Sequence, residues 1–318
     1  MAIKRLKLIV TGANAGKPLI EVLAAWLPEA LQHPVSKAKV RKLIVAGAVF
    51  VNGRRVGVPS RALSRGAKVE THVDVEKLFN DSTSRDKEFE LTADRILFED
   101  DDLIFIDKPP GLPAQPTLDE SRDNLFAAVG RFLAGRDRVE NPYVGVHHRL
   151  DRDTSGVVLF TKSQRVNVAV ANSFSDRQTT KLYQAITVFR PKVKREWTIK
   201  NYLGKISSKS KRSRYGAVGS HGDLAETGFR VIAEYPEALW IEASPKTGRT
   251  HQIRVHLSEY GLPILGDDLY GTDDGVVPRM MLHAVQLVLP HPITGRELSV
   301  KSPLPADFKR CLKRIAAG

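Results

Sequence analysis

Apolar residues recur at helical spacing in Leu19, Val22, Leu23 and Trp26, which predicts an amphipathic helix over 19–27. The apolar run at 6–10 ahead of it predicts a strand. A second helix follows, with Ser36 as N-cap, Val40, Leu43 and Ile44 as its apolar face and Gly47 as a left-handed stop. Val49, Val51 and the Asn52-Gly53 turn then open a hairpin that returns through Val56. Residues 76–92 are polar and aperiodic and read as a linker. From near Ile96 onward, strands over 104–107, 156–160, 183–188, 239–243 and 286–289 alternate irregularly with helices near 124–134, 164–175, 250–259 and 306–315. Irregular alternation predicts an α+β fold rather than a doubly wound parallel sheet. The expected organisation is a small N-terminal α/β module over 1–75, the linker, and a larger module over 93–318.

Composition supports two modules, because 318 residues exceed one ordinary domain. Charge adds a partner. Lys and Arg number 49 against 36 Asp and Glu, a net +13, which points to a phosphate-bearing ligand. Residues 1–80 hold 14 Lys and Arg against 5 Asp and Glu, so +9 of the total lies there. Lys37, Lys39, Arg41 and Lys42 fill the polar face of the second helix, and Arg54 and Arg55 follow the hairpin turn; these six are candidate phosphate contacts. A further run through Lys205, Lys209, Lys211, Arg212 and Arg214 reads as a mobile basic loop. The single cysteine, Cys311, excludes an intrachain disulfide and a cysteine zinc cage. The N-terminal apolar stretch breaks at Thr11, Gly12 and Asn14, too early for a signal peptide or membrane span, so a cytoplasmic location is expected.

Several local patterns fail on spacing. Gly12 to Lys17 lacks the four-residue gap of a phosphate loop, and Pro18 follows its lysine. His251 and His256 lie five apart, which does not stack them on one helix face as metal ligands. The acidic run 99–102 reads as a solvated turn. The richest segment is His147-His148-Arg149-Leu150-Asp151-Arg152-Asp153-Thr154-Ser155-Gly156, just before an apolar strand. Asp151 stands there among Arg149, Arg152, Thr154 and Ser155, either as a carboxylate aimed at a site or as a structural Asp in an arginine-rich turn. No serine elbow accompanies the histidines, which argues against a hydrolase.

The string His148-Arg149-Leu150-Asp151, continued by Thr154-Ser155-Gly156, resembles the signature loop of the RluA-type pseudouridine synthases. Lys181-Leu182-Tyr183, the long block from Thr247 to Leu257, Pro263-Ile264, Gly266-Asp267, Tyr270 and Leu282-His283-Ala284 follow in that family's order. This likeness spans about residues 96–308. Within 6–72, Val40-Arg41-Lys42-Leu43-Ile44, Gly47, Val51-Asn52-Gly53 and Ser64 to Val69 resemble the small RNA-binding module first described in the S-four protein of the small ribosomal subunit.

The resemblance implies a catalytic fold with a central, mainly antiparallel sheet, and an isomerase that converts uridine in RNA to pseudouridine without cofactor or metal. Asp151 would attack the flipped nucleoside, at the anomeric carbon or at carbon 6. Tyr183 would stack on the uracil, and Arg254, on a helix opened by Thr250, would pair with Asp151. Arg149 would hold the flipped-out RNA, with His148 supporting the loop and Thr154, Lys181 and Leu282 completing the substrate pocket. Lys37, Lys39, Arg41, Lys42, Arg54 and Arg55 become RNA contacts. Family members with this N-terminal module favour large-subunit ribosomal RNA over transfer RNA, and a monomer without membrane attachment is expected. Asp107 stands where the family more often has Asn before Lys-Pro, which places an extra negative charge near the RNA. The rival readings are a non-catalytic RNA-binding or ribosome-assembly factor and a glycosidic hydrolase that would release uracil.

Overall fold

A computed structural model describes residues 3–75, 78, 88–117, 122–207, 213–271 and 277–317. The chain divides into two compact units, Met1–Arg85 and Asp86–Gly318. Of the expected linker, residues 76, 77 and 79–87 lie outside the described residues.

In the first unit, β1 (Ile3–Ile9), β2 (Val49–Val51), β3 (Arg54–Arg55) and β4 (Lys68–Asp74) form an antiparallel sheet in the order β1-β4-β2-β3. Two helices, α1 (Leu19–Leu31) and α2 (Lys37–Val45), supply Leu19, Val22, Leu23, Leu27, Val40 and Ile44 to a core completed by Val49, Val51 and Val69. The apolar spacing predicted both helices because only this stripe can leave water. Helix α1 runs past Pro28 and stops at left-handed Gln32, beyond the last apolar repeat. Ser36 Oγ accepts the Lys39 N–H at 3.2 Å, and Gly47, at φ 75°, ends the segment as expected. Asn52 and Gly53 both have positive φ, and Asn52 Oδ1 accepts the Lys68 N–H at 2.8 Å, tying the hairpin to β4. Strand β1 begins three residues before the predicted strand, where Lys4 and Arg5 are carried by backbone pairing to β4 rather than by burial.

The second unit is built on an 11-stranded sheet. Its strands are β5 (Ile96–Glu99), β6 (Leu103–Lys108), β7 (Gly145–Val146), β8 (Ser155–Thr161), β9 (Thr180–Val188), β10 (Glu196–Ser207), β11 (Arg214–Val218), β12 (Asp223–Glu234), β13 (Ala238–Pro245), β14 (Leu282–Pro290) and β15 (Glu297–Lys301). The order is β11-β10-β12-β13-β9-β14-β8-β6-β5, with β15 on β14 and β7 on β8. Only β8 and β14 run parallel among these pairs. Helices α3 (Leu125–Asp137), α4 (Asn167–Ser175), α5 (Gln252–Glu259) and α6 (Ala306–Ala317) complete a mixed, mainly antiparallel α+β architecture. One core joins β6 and β8 to α3; another joins β9 and β13 to α5 and α6.

Three expectations are corrected. Lys205 and Arg214 lie on the paired strands β10 and β11 rather than in a loop; Lys209, Lys211 and Arg212 lie outside the described residues. The acidic run is not simply solvated. Asp102 is 4% exposed and takes a two-pronged contact from Arg165 at 2.7 Å, while Glu99 takes Arg136 at 2.7 and 2.8 Å and also Lys162, because this corner packs toward α3 and the end of β8. Asp107 is held within the unit, accepting from Ser302 Oγ at 2.7 Å with Arg95 at 3.7 Å, so its charge is engaged by the protein.

Candidate active site

Gly156 on β8 lies opposite Ala284 on β14, which lies opposite Tyr183 on β9. These three residues form a row about 10 Å long at ordinary strand spacing, bringing motifs far apart in sequence to one place. Gly156 has φ 118°, and a Cβ there would overlap the Ala284 backbone, so no larger residue fits. Beside it, the Ser155 hydroxyl lies 2.9 Å from His283 Nδ1, and His283 Nε2 lies 3.4 Å from the Ser302 carbonyl, which can only accept. Burial lowers the His283 pKa to about 4, so the ring is neutral at neutral pH, and with its proton on Nε2 toward that carbonyl, Nδ1 accepts from Ser155. The Thr-Ser-Gly motif is therefore the seat on which the preceding loop rests.

That loop, 147–154, is fixed from below. Leu150 is buried in the β6, β8 and α3 core. Lys108 is fully buried, and its ammonium donates to the carbonyls of Pro109, Leu112 and Arg152 at 2.9, 2.7 and 2.8 Å. Burial lowers the Lys108 pKa to about 7, opposed by the Asp153 and Asp151 carboxylates. The Gly111 N–H also reaches the Arg152 carbonyl, and the Thr154 N–H closes a turn onto the Asp151 carbonyl at 3.1 Å. His148 Nε2 accepts the Leu159 N–H at 2.9 Å while its ring stacks on Phe174 at 5.0 Å. Burial lowers the His148 pKa to about 3, as an accepting nitrogen requires.

From the opposite side comes the segment after β13. Gln252 is its organiser: Oε1 accepts from Thr247 Oγ1 and the Arg249 N–H, and Nε2 donates to the Glu226 carbonyl and Thr227 Oγ1, at 2.7–3.0 Å. Helix α5 opens at Gln252 behind left-handed His251, so Thr250 is not its cap; the fixed Gln252 side chain, rather than a capping hydroxyl, orders this turn. His256, one turn on, has Nδ1 3.0 Å from Thr227 Oγ1 and Nε2 2.9 Å from Asn201 Oδ1, and burial lowers its pKa to about 4.

Arg254 projects between the two loops. Its Nε and Nη2 each donate to Asp267 at 2.7 Å, and its Nη1 donates to Asp151 Oδ2 at 3.1 Å. Asp267 is 1% exposed and also accepts the Leu269 and Tyr270 N–H groups at 3.0 and 3.1 Å. Burial pushes the Asp267 carboxyl up, but Arg254 and the two N–H groups more than offset this and hold it below the usual range. Burial likewise works against the Arg254 charge, and the two carboxylates overcome it. The guanidinium lies 5.0 Å from the centre of the Tyr270 ring, whose hydroxyl accepts the Tyr215 N–H at 2.9 Å.

All eight residues expected for chemistry and substrate, Asp151, Tyr183, Arg254, Arg149, His148, Thr154, Lys181 and Leu282, line one cavity of about 330 Å³. Asp151 is the only carboxylate among its described lining residues. Arg149 is exposed at this cavity, whereas Thr154 and Leu282 are buried in its wall. Burial, and then the Asp151 charge, push the Tyr183 phenol well above its ordinary value, so it keeps its proton at neutral pH. Lys181 donates to the Thr247 carbonyl at 3.1 Å, and burial lowers its pKa. No group of three or more His, Cys, Asp or Glu among the described residues is placed to hold a metal ion. In the first unit, Lys37, Arg41, Arg54 and Arg55 are exposed and Lys39 is half-exposed; the Lys42 side chain lies outside the described residues. None of the described helices is long and apolar enough to cross a membrane.

Sequence reasoning assigned no role to Asp267 or Gln252, though both stood inside recognised motifs. An acidic residue directly after Gly266, following an arginine on a short helix, was the available signal for Asp267. Its pairing depends on a loop return that no local pattern encodes.

A family profile described as RNA pseudouridylate synthase matches residues 102–259, and one described as S4 domain matches residues 30–69. The ribosomal large subunit pseudouridine synthase D of Nitrosomonas europaea is 36% identical over 230 residues, covering 70% of this chain and 65% of that protein. The protein of the same name from Haemophilus influenzae is 30% identical over 316 residues, covering 95% of this chain and 92% of that one. Among solved structures, human RNA pseudouridylate synthase domain containing 4 superposes with a TM-score of 0.55 at 27% identity, covering 69% of this chain and 92% of that chain.

Proposed function

We propose that this chain, which belongs to the RluA-type family of RNA pseudouridine synthases and carries an S4 domain, isomerises uridine in large-subunit ribosomal RNA with Asp151 as nucleophile. The observation that carries the assignment is that Asp151 is the only described carboxylate lining the cavity and is oriented there by Arg254. Isomerisation breaks one carbon-nitrogen bond and rejoins the same base through carbon 5, so it needs a nucleophile, confinement and orientation but no redox partner. Asp151 supplies the first, whether it attacks the anomeric carbon or carbon 6. Arg254 fixes the carboxylate, and Asp267 fixes Arg254.

Tyr183 offers a ring face for the base and, with its proton retained, a hydrogen-bond donor. Arg149, exposed at the cavity, is suited to the backbone of a flipped-out nucleotide, whose unstacking costs about a few kcal/mol. Thr154, Leu282 and His148 shape the wall. The S4 domain adds exposed cations that strengthen binding to any RNA backbone without reading sequence. The choice of large-subunit RNA is supported by the names of the Nitrosomonas and Haemophilus relatives.

The test maps pseudouridines in ribosomal and transfer RNA from cells lacking the gene, complemented with wild type or Asp151→Ala. The expected result is loss of one or more large-subunit sites, restored by wild type alone. A missing transfer-RNA site would move the target, and restoration by Asp151→Ala would refute the nucleophile. Unchanged maps would overturn the function, and released uracil would mark a hydrolase.

A further inference from the structure

We propose that the Lys181 ammonium is a catalytic residue that hydrogen-bonds a carbonyl of the flipped uracil and holds the negative charge the ring acquires when Asp151 attacks. This rests on the pseudouridine synthase reading and goes beyond it by assigning the partner of the departing base.

Lys181 and Tyr183 are two residues apart on β9, so their side chains leave the same face of the strand, and both line the cavity that holds Asp151. The Lys181 ammonium donates once, to the Thr247 carbonyl at 3.1 Å, and has no ion pair among the described residues. An ammonium carries three N–H bonds, so donors remain for a ligand. The other cations of this cavity are engaged or peripheral. Arg254 is shared by Asp151 and Asp267, Arg249 donates to the Leu224 carbonyl, and Arg149 is exposed. The three histidines that line this cavity, His147, His148 and His251, all have pKa values lowered by burial, that of His148 to about 3. A half-buried cation left without a carboxylate is costly unless a charge arrives during the reaction.

Such a charge arrives by either chemistry. If a carboxylate oxygen of Asp151 bonds the anomeric carbon, the bond to N1 breaks and its electron pair stays on the base, shared by both carbonyl oxygens. If the carboxylate oxygen bonds carbon 6, the pair of the carbon 5–carbon 6 double bond moves onto carbon 5 and its neighbouring carbonyl. In each case the ring becomes an anion. Carbon 5 then bonds the anomeric carbon; on the second route the bond from that carbon to N1 breaks in this step and its electron pair stays on the ring. The carboxylate is released, one proton leaves carbon 5 to water and N1 takes one from water. Lys181 keeps its own protons throughout.

The experiment compares wild type, Lys181→Met, Lys181→Gln and Lys181→Arg by single-turnover rate on an RNA fragment carrying the mapped uridine, and on the same fragment with 5-fluorouridine, followed as loss of the starting nucleotide. Thermal melting checks that each variant folds. Lys181→Met and Lys181→Gln are expected to lose about 10²-fold in the saturated rate with little change in apparent affinity, and Lys181→Arg to recover much of it. On 5-fluorouridine the deficit of the uncharged variants is expected to shrink several-fold, because fluorine itself stabilises the ring anion. An equal deficit on both substrates, recovery by Gln, or a change in affinity alone would overturn the inference and leave Lys181 as a strut to Thr247. Wild type that fails on every RNA would count against the proposed function and this inference together; wild-type turnover with an unimpaired Lys181→Met would count against this inference only.

Discussion

Arg254 in the second unit is 7% exposed and shared by two carboxylates at 2.7 and 3.1 Å, whereas Arg41, Arg54 and Arg55 in the first unit stand exposed with no ion pair among the described residues. Both sets are arginine, and both lie in segments related to RNA enzymes. They differ in what a single charge decides. A buried guanidinium must keep its partners, because removing one leaves an uncompensated charge in low dielectric. An exposed one is screened within about 8–10 Å by salt and contributes to a field rather than to a geometry. Buried charge in this protein therefore fixes the position of one carboxylate, and exposed charge raises the local concentration of a polyanion.

The sharpest way to break this contrast is Asp267→Asn. Asn keeps the volume but presents a neutral partner to Arg254, and Asp151 is then the sole carboxylate left to it. A destabilisation of about 3–5 kcal/mol by denaturant unfolding is expected, with a fall of about 10²-fold in the single-turnover rate, since the guanidinium that aims Asp151 loses its anchor. The pH dependence follows from the depressed Asp267 pKa: its stabilisation is fully present above the unfolded carboxylate value and disappears as pH falls through the folded one. Asp267→Asn should remove that part of the acid limb. A loss below about 1 kcal/mol would put this chain on a par with surface pairs and dissolve the distinction.

A smaller effect is expected from the buried neutral histidines that brace the same region. His256 bridges Thr227 and Asn201, with a folded pKa of about 4 against about 6.5 in the unfolded chain. The unfolded state takes up a proton first on acidification, so stability is fully present above pH 6.5 and declines toward pH 4, by at most about 3 kcal/mol for this residue. His256→Gln can keep both partners without titrating. Its melting temperature should sit slightly below wild type at pH 7 and fall less between pH 6.5 and 4.5. A parallel decline in both proteins would assign the acid sensitivity elsewhere.

Periodicity and turn chemistry anticipated α1, α2 and the Asn52-Gly53 hairpin of the first unit, because each carries its own signal, but not β4, the strand that joins β1 to β2. In the second unit the hydrophobic strands β6, β8, β9, β13 and β14 were legible, whereas β10 and β12 were not. The inward positions of β12 include Ala225 and Thr227, which bury completely yet carry little hydrophobic contrast against polar neighbours. The candidate site was legible as motifs: the eight residues gathered in one cavity had been singled out from four separate stretches. What the sequence left hidden were non-local partners, namely Asp267 beneath Arg254, Lys108 beneath the Arg152 carbonyl, and Ser302 on Asp107. Each is a contact across the sheet or a loop return, and no spacing rule reaches that far.

The smallest effects are expected where the cations are exposed. Arg41→Ala and Arg54→Ala each remove a charge from the first unit without disturbing its core, which is built from α1, Val40, Ile44 and the sheet. If each contacts one phosphate, each variant should weaken binding to structured RNA about equally across unrelated sequences, and the slope of log affinity against log salt should become shallower by about 0.7–0.9. The saturated single-turnover rate should stay within about twofold of wild type, because nothing in the Asp151, Arg254 and Asp267 chain changes. Filter binding from 50 to 300 mM salt, paired with single-turnover assays on one fragment, separates the two quantities. A variant with an unchanged salt slope would remove that residue from the RNA contacts. A variant with unchanged affinity but a slower saturated rate would place an exposed first-unit arginine in the chemistry and erase the division between held and screened charge.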